Sequence, residues 1–225
     1  MALRQKTHYF TQRTNLRLAD SSDEPVDVID LKQHLKIWED DQDRYLSDLI
    51  LEARTEFEDL TNIALISQTR KLLMDAWDKR PEPWWDGVRE YPITELYAGS
   101  SRHIDLPIFP VISVDSVTVY DRDSASTSVT IADTFDVDLV SKPARLSLQS
   151  GATWPSATRA NNAIEIQYTA GYGTKPSDVP PPLRRAVRQM AGYLYTNRGS
   201  GCSAAEAFSK SGAEGIARIY GLTRI

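Results

Sequence analysis

Histidine, cysteine and paired carboxylates are the groups from which a metal site, a nucleophile or an acid–base pair would be built, so their spacing is read first. The three histidines, His8, His34 and His103, lie far apart in the chain. None has a second ligand at i+3 or i+4, the spacing a helical metal site uses. Cys202 is the single cysteine, which allows neither an internal disulfide nor a cysteine-based zinc site. No G-x-S-x-G elbow frames a serine nucleophile. Gly171-Tyr172-Gly173 lacks the G-K-[ST] or G-x-G-x-x-G continuation of a phosphate loop and reads as a turn. Asp40 and Asp41 are better explained as charge at a helix start than as a general acid and base. The expectation is a non-enzymatic protein with no metal and no cofactor.

Binding chemistry is more visible than reaction chemistry. Trp77, Trp84 and Trp85 fall in a Pro/Trp-rich stretch from Asp78 to Pro92 and just before it. They could cap the core of a neighbouring β-region, anchor a protein contact, or stack on a sugar. Arg184, Arg185 and Arg188 sit on a predicted helix, with Arg184 and Arg188 sharing a face at i, i+4. Asp48, Glu52 and Glu56 repeat at the same spacing on an earlier one.

Charge is strongly segregated along the chain. The net charge is −5, yet residues 1–19 carry four Lys/Arg and no acid, and residues 20–60 carry fourteen Asp/Glu against four Lys/Arg. Residues 61–182 hold fifteen acids and eleven bases, and residues 183–225 reverse the sign with seven bases and two acids. A nonspecific nucleic-acid binder would show a basic balance over a face or groove; here only the two ends are basic. One reading is solvated surface and helix-end electrostatics. The sharper one is that acidic and basic faces meet across subunits, with Asp48, Glu52 and Glu56 opposite Arg184, Arg185 and Arg188.

The elements that would carry these residues are set by periodicity. Asp30 is placed as the N-cap of a short helix through Leu31, Leu35 and Ile37. A longer helix is expected over Asp41–Leu60, with Leu46, Leu49, Ile50, Ala53, Phe57 and Leu60 on its apolar face. Strands are expected from Ile66 to Asp75 and at 102–106, 112–120, 127–132, 134–140, 144–149 and 163–169. The run Tyr168–Arg198 then shows a strand end, a glycine turn, three prolines at 180–182 and a helix with Leu183, Val187, Met190 and Leu194 on one face. Residues 199–225 open Gly/Ser-rich and close on Ile216, Arg218, Ile219, Tyr220, Leu222, Arg224 and Ile225. This stretch either folds back on its own domain or orders on a partner; a docking tail is the favoured expectation.

The segment Thr169–Arg198, a "TAGYG … P … R … YxxR"-like run, together with the His34-Leu35 pair in a short opening helix and the long helix after it, resembles the head–tail connector (adaptor) proteins of tailed bacteriophages. The resemblance spans roughly Val28 to Arg198, and its motifs are structural. It implies a ring of twelve copies beneath a portal, extending the DNA channel and joining capsid to tail. The implied partners are the portal protein, neighbouring copies, the next tail or connector protein, and DNA that slides through without specific binding. Contact with the portal through the C-terminal segment is a further implication.

The expected fold class is α+β: a small helical bundle from the N- and C-terminal helices, an inserted antiparallel β-region (sheet or small sandwich) and an extended C-terminal tail. The expected divisions are an N-terminal arm at 1–25, a helical part at 26–62, the β-region at 63–170, the C-terminal core helix at 171–199 and the docking tail at 200–225. Composition agrees with a globular chain, at 41% hydrophobic and 25% charged residues. No window reaches the roughly 18–20 apolar residues of a membrane span. The polar opening lacks a signal-peptide core, so synthesis without secretion through a membrane is expected; the resemblance implies a bacterial host cytoplasm and residence at the head–tail interface of a virion. Two other classes stay open: a carbohydrate- or receptor-binding virion module, and a nucleic-acid-binding packaging factor.

Overall fold

A computed structural model describes residues 13–19, 23–77 and 103–221. Trp84, Trp85, Leu222, Arg224 and Ile225 lie outside the described residues, as does the whole Pro/Trp-rich stretch from Asp78 to Pro92. The described chain is α+β, with the helices gathered around one apolar core and the strands around a second.

Helix α1 covers Val28–Leu35 and α2 covers Asp43–Thr61. Asp27, not Asp30, occupies the N-cap position of α1; Asp30 stands in the first turn, where its charge still favours the positive end of the helix. Lys36 closes α1 in the left-handed region at φ 57°. Lys32 then spans the turn to α2, holding Asp43 at 2.9 Å and bonding Asp40 as well. Helix α2 buries Leu46, Leu49, Ile50, Ala53 and Phe57, as its spacing predicts, but Leu60 is 46% exposed. At the C-terminal turn the inward positions are taken by Phe57 and Glu58 instead, and Asn62 ends the helix at φ 57°.

Among the described residues, eight strands form two sheets. The first has the order β1-β2-β8-β4-β5, with β1 Arg13–Ala19, β2 Gln68–Met74, β4 Val111–Tyr120, β5 Ser126–Val129 and β8 Ile164–Ala170. The second has the order β3-β7-β6, with β3 His103–Leu106, β6 Phe135–Asp138 and β7 Ala144–Leu148. All neighbours are antiparallel. Alternate residues of β2 and β8 are buried along their whole length, the period-two pattern of a sheet with one covered face. Leu72, Ile164, Ile166, Tyr168, Val117 and Val119 meet Ile104, Leu106, Phe135 and Leu146 in one core. The strand expected at 127–132 stops at Val129, because Ile131–Thr134 forms a short helix, α3. The N-terminal arm contributes β1 to the sheet edge, so the β-region is not built from 63–170 alone.

Helix α4, Pro181–Thr196, starts on the proline run and packs Leu183, Ala186, Val187, Met190 and Leu194 into the helical core. At the turn before it, Gly171 has φ +139°, and a Cβ there would stand 2.6 Å from the Ile66 backbone. Only glycine fits this crossing.

The expected extended tail is corrected by the structure: residues 204–220 are helical, broken only by a tight turn. Helix α5 spans Ala204–Lys210 and α6 spans Ala213–Tyr220. Ala207, Ala213, Ile216 and Ala217 are buried in the helical core, and Phe208 meets Phe57 edge-on at 5.9 Å. The sequence signal was present: Ser203 caps α5 by accepting a hydrogen bond from the Glu206 amide at 3.2 Å, with alanines at low helical cost behind it.

The two cores are joined at Phe109. Its side chain is buried with the helices, while its backbone accepts from Ala64 and donates to Asn62. The Gly171 amide bonds to Pro110 O at 2.8 Å beside this junction.

Candidate assembly interfaces

Helices α2 and α4 pack through their apolar faces. On α2, Asp48 and Glu52 are exposed and Glu56 is half-buried; on α4, Arg185 is exposed and Arg184 and Arg188 are half-buried. No ion pair joins any of these six residues to another described residue. The chain therefore carries an acidic row on α2 and a basic row on α4. Buried atoms on the basic side, Arg184 Nε and Gln189 Oε1, have no hydrogen-bond partner among the described residues.

The C-terminal residues divide sharply. Ile216 is 7% exposed and belongs to the core. Ile219 is 81% exposed, and Arg218, also exposed, pairs with Glu214 at 2.7 Å on the same helix. Tyr220 is half-buried against the core. Of the described residues expected in a docking tail, only Arg218 and Ile219 project from the surface.

Trp77 is corrected as a contact-loop residue. It is 5% exposed, stacks on Trp154 with centroids 4.7 Å apart, lies 6.0 Å from Phe135, and donates its indole N–H to Pro155 O at 2.6 Å. A buried indole with its one donor satisfied is a core residue. Trp38 is the exposed tryptophan among the described residues, at 85%.

A buried ionic cluster was missed from sequence. Glu58 Oε2 accepts from Arg17 at 2.9 Å and Arg54 at 3.1 Å, while Oε1 accepts from the Leu65 amide at 2.8 Å and Gln68 at 3.1 Å. Arg54 also forks onto Glu24 at 2.7 and 3.1 Å. Burial pushes the Glu58 carboxyl up, opposed by the Leu65 amide and the two guanidinium groups. Nearby, burial and then Arg17 push the Arg70 guanidinium down. The available signal was an Arg–Glu pair at i, i+4 on the inward stripe of α2, where charge survives only if partnered.

Two further features bear on chemistry. Burial, then Glu206, pushes the Cys202 thiol up, away from the thiolate a nucleophile needs. Among the described residues no group of three His, Cys, Asp or Glu is arranged to hold a metal ion, and no helix is long and apolar enough to cross a membrane.

Residues 26–84 match the model of a family described as phage gp6-like head-tail connector protein. The matched stretch takes in α1, α2 and β2. No match is found among curated protein sequences. Among solved structures, the chain is similar to a chain from the neck of an empty gene transfer agent particle computed with sixfold symmetry. The two are 22% identical at a TM-score of 0.70, over 94% of this chain and 97% of the other. It is also similar to a chain in the virion of a native gene transfer agent particle, at 20% identity and TM-score 0.68, over 94% and 96% of the two chains. A third likeness is to a chain from the neck of the native particle computed with twelvefold symmetry: 22% identity, TM-score 0.63, over 88% and 94%. These likenesses establish a shared fold along nearly the whole of each chain.

Proposed function

We propose that the protein is a structural component of a virion neck, a head–tail connector that assembles as a ring between the portal and the tail. The observation that carries this reading is the fold shared end to end with a chain of a gene transfer agent neck, joined by the connector-family match over residues 26–84. The role is mechanical. Twelvefold symmetry in one related neck supports twelve copies, and the partners are the portal protein, neighbouring copies, the next tail or connector protein, and DNA passing through the bore.

A closed ring needs two different, complementary surfaces on each subunit. The ridge of Asp48, Glu52 and Glu56 and the ridge of Arg184, Arg185 and Arg188 supply such a pair, each lacking an ion-pair partner among the described residues. Portal docking is assigned to the exposed end of α6 and the residues after it: Arg218, Ile219, Leu222, Arg224 and Ile225. Ile216 and Tyr220 support this end from the core side.

Native mass spectrometry of the chain alone and with its portal tests the reading. A portal complex carrying about twelve copies, lost when residues 222–225 are removed and Ile219 becomes Asp, supports both ring and tail. Truncation after Arg198 is unsuitable, because it strips α5 and α6 from the core. Absence of any portal complex overturns the connector role. Arg188→Glu is expected to block ring formation, and Glu52→Arg together with Glu56→Arg in the same chain to restore part of it; rings unaffected by Arg188→Glu would remove the ridge pairing.

A further inference from the structure

The inward face of β2 changes character along its length. Leu72 and Met74 enter the apolar core, but the two earlier inward residues, Gln68 and Arg70, are polar and only 3% and 6% exposed. Gln68 donates its amide N–H to Glu58 at 3.1 Å, while its Oε1 is enclosed without a hydrogen-bond partner among the described residues. Arg70 Nε is enclosed and unpartnered in the same way. An enclosed acceptor and an enclosed donor thus stand two residues apart on one strand face.

The nearby carboxylates are already committed. Each oxygen of Glu58 accepts two bonds, Oε2 from Arg17 and Arg54, and Oε1 from Gln68 and the Leu65 amide. Glu24 is taken by Arg54, and Asp59 lies 3.8 Å from Arg17 with its side chain 63% exposed. No ion pair joins Arg70 to another described residue. Opposite it in register stand Arg17 on β1 and Tyr168 on β8. Arg70 therefore faces a second arginine and no carboxylate within ion-pair distance, a costly state for a buried charge. A bridging water would satisfy the two orphan atoms and leave the charge.

We propose that the corner formed by Gln68 and Arg70 is a binding site for a small protonated oxyanion, of which inorganic phosphate is the fitting example. Its bare oxygens accept from the Arg70 guanidinium and offset its charge. The proton that phosphate keeps at neutral pH is donated to Gln68 Oε1. Sulfate brings the charge without that proton. Burial sets the size: with Arg70 only 6% exposed, a phosphate carried on a polymer has no way in, so the ligand is the free ion. It enters beside β1, an edge strand whose ladder shifts between Arg17 and Ala19, where local opening costs least. This inference does not rest on the connector reading.

Thermal unfolding of the full chain in chloride buffer, with phosphate or sulfate added at constant ionic strength, tests it. Phosphate is expected to raise the melting temperature saturably, by about 3–6 °C once it exceeds its dissociation constant about tenfold. Sulfate should raise it less at equal concentration. Arg70→Met, which keeps the length and removes the charge, should lose the saturable part and retain only the gradual effect of excluded anions. In chloride alone it should be at least as stable as the native chain, because it discards an unpaired charge. Phosphorus-31 NMR of phosphate mixed with the native chain needs no variant, and should show line broadening that saturates. Absence of a saturable effect or of broadening overturns the proposal, as does an equal response of Arg70→Met. Sulfate matching phosphate on the native chain overturns it too, and so does an Arg70→Met chain less stable in chloride alone.

Discussion

Trp77 and Trp154 stack with ring centroids 4.7 Å apart and planes 26° from parallel, although 77 positions separate them in the chain. Phe135 completes the cluster at 6.0 and 5.8 Å. The Trp77 indole thus ties the end of β2 to the segment before β8. Trp77→Ala is expected to destabilise the β-region by about 3–5 kcal/mol, the usual range for removing a buried large aromatic. Urea unfolding followed by near-ultraviolet circular dichroism checks it. A loss below about 1 kcal/mol would mean the three rings do not pack as one cluster.

Gly171 leaves no room for a side chain, by both its φ and its approach to Ile66. Gly171→Ala should cost at least about 2 kcal/mol, since strain and backbone overlap add. Gly151 is the control: it also has positive φ, but open space surrounds it, so Gly151→Ala should cost about 1 kcal/mol or less. Equal melting temperatures for the two variants would contradict the crossing at Ile66.

Burial raises the Tyr168 phenol from its ordinary 10.0 to about 12. The folded chain therefore holds this proton more tightly than the unfolded chain does. The associated stability is complete below pH 10 and is lost as pH rises toward 12, up to about 2–3 kcal/mol. The readout is the difference in unfolding free energy between the native chain and Tyr168→Phe across that window. A difference that does not change with pH counts against a buried phenol.

Asp138 is held well below the usual carboxylate range, first by the Ser141 hydroxyl, then by the Ser141 amide and Arg145. A depressed carboxyl stabilises above its unfolded value, ordinarily 3.8, and loses that contribution as pH falls below it. The turn between β6 and β7 should loosen on acidification, and Asp138→Asn should loosen it already at neutral pH. Exchange rates of the Val140 and Ser141 amides report this. Rates unchanged by Asp138→Asn would refute it.

The parts of the fold that were legible are those written in period. Alternation in β2 and β8 and the i, i+3, i+4 stripe of α2 and α4 were sufficient, because in each case one face is buried along the whole element. Segment 204–220 was misjudged because glycine and serine at 199–203 suggested a flexible exit, while the Ser203 cap and four buried alanine and isoleucine positions argued for helices. Small residues give a weak hydrophobic signal even when they bring helices close. β1 was not legible as a core strand, since its leucines, Leu16 and Leu18, face outward and its inward side chains are polar. The acidic and basic ridges were legible as charge, whereas the choice between solvated surface and subunit contact depends on what a second copy presents.

The join between the first and last thirds of the chain has a consequence for synthesis. The apolar face of α2 is complete at Thr61, yet the helices that cover it begin at Pro181. About 120 residues must be translated in between, which takes roughly 6–24 s at about 5–20 residues per second. During that interval Phe57, Ile50 and Leu46 have no cover from α4, α5 or α6, and the first sheet lacks its middle strand β8 until Ala170. The nascent chain thus carries a sticky, half-finished helix out of the ribosome, and its yield in a cell will depend on whatever shields that helix until the C-terminus arrives.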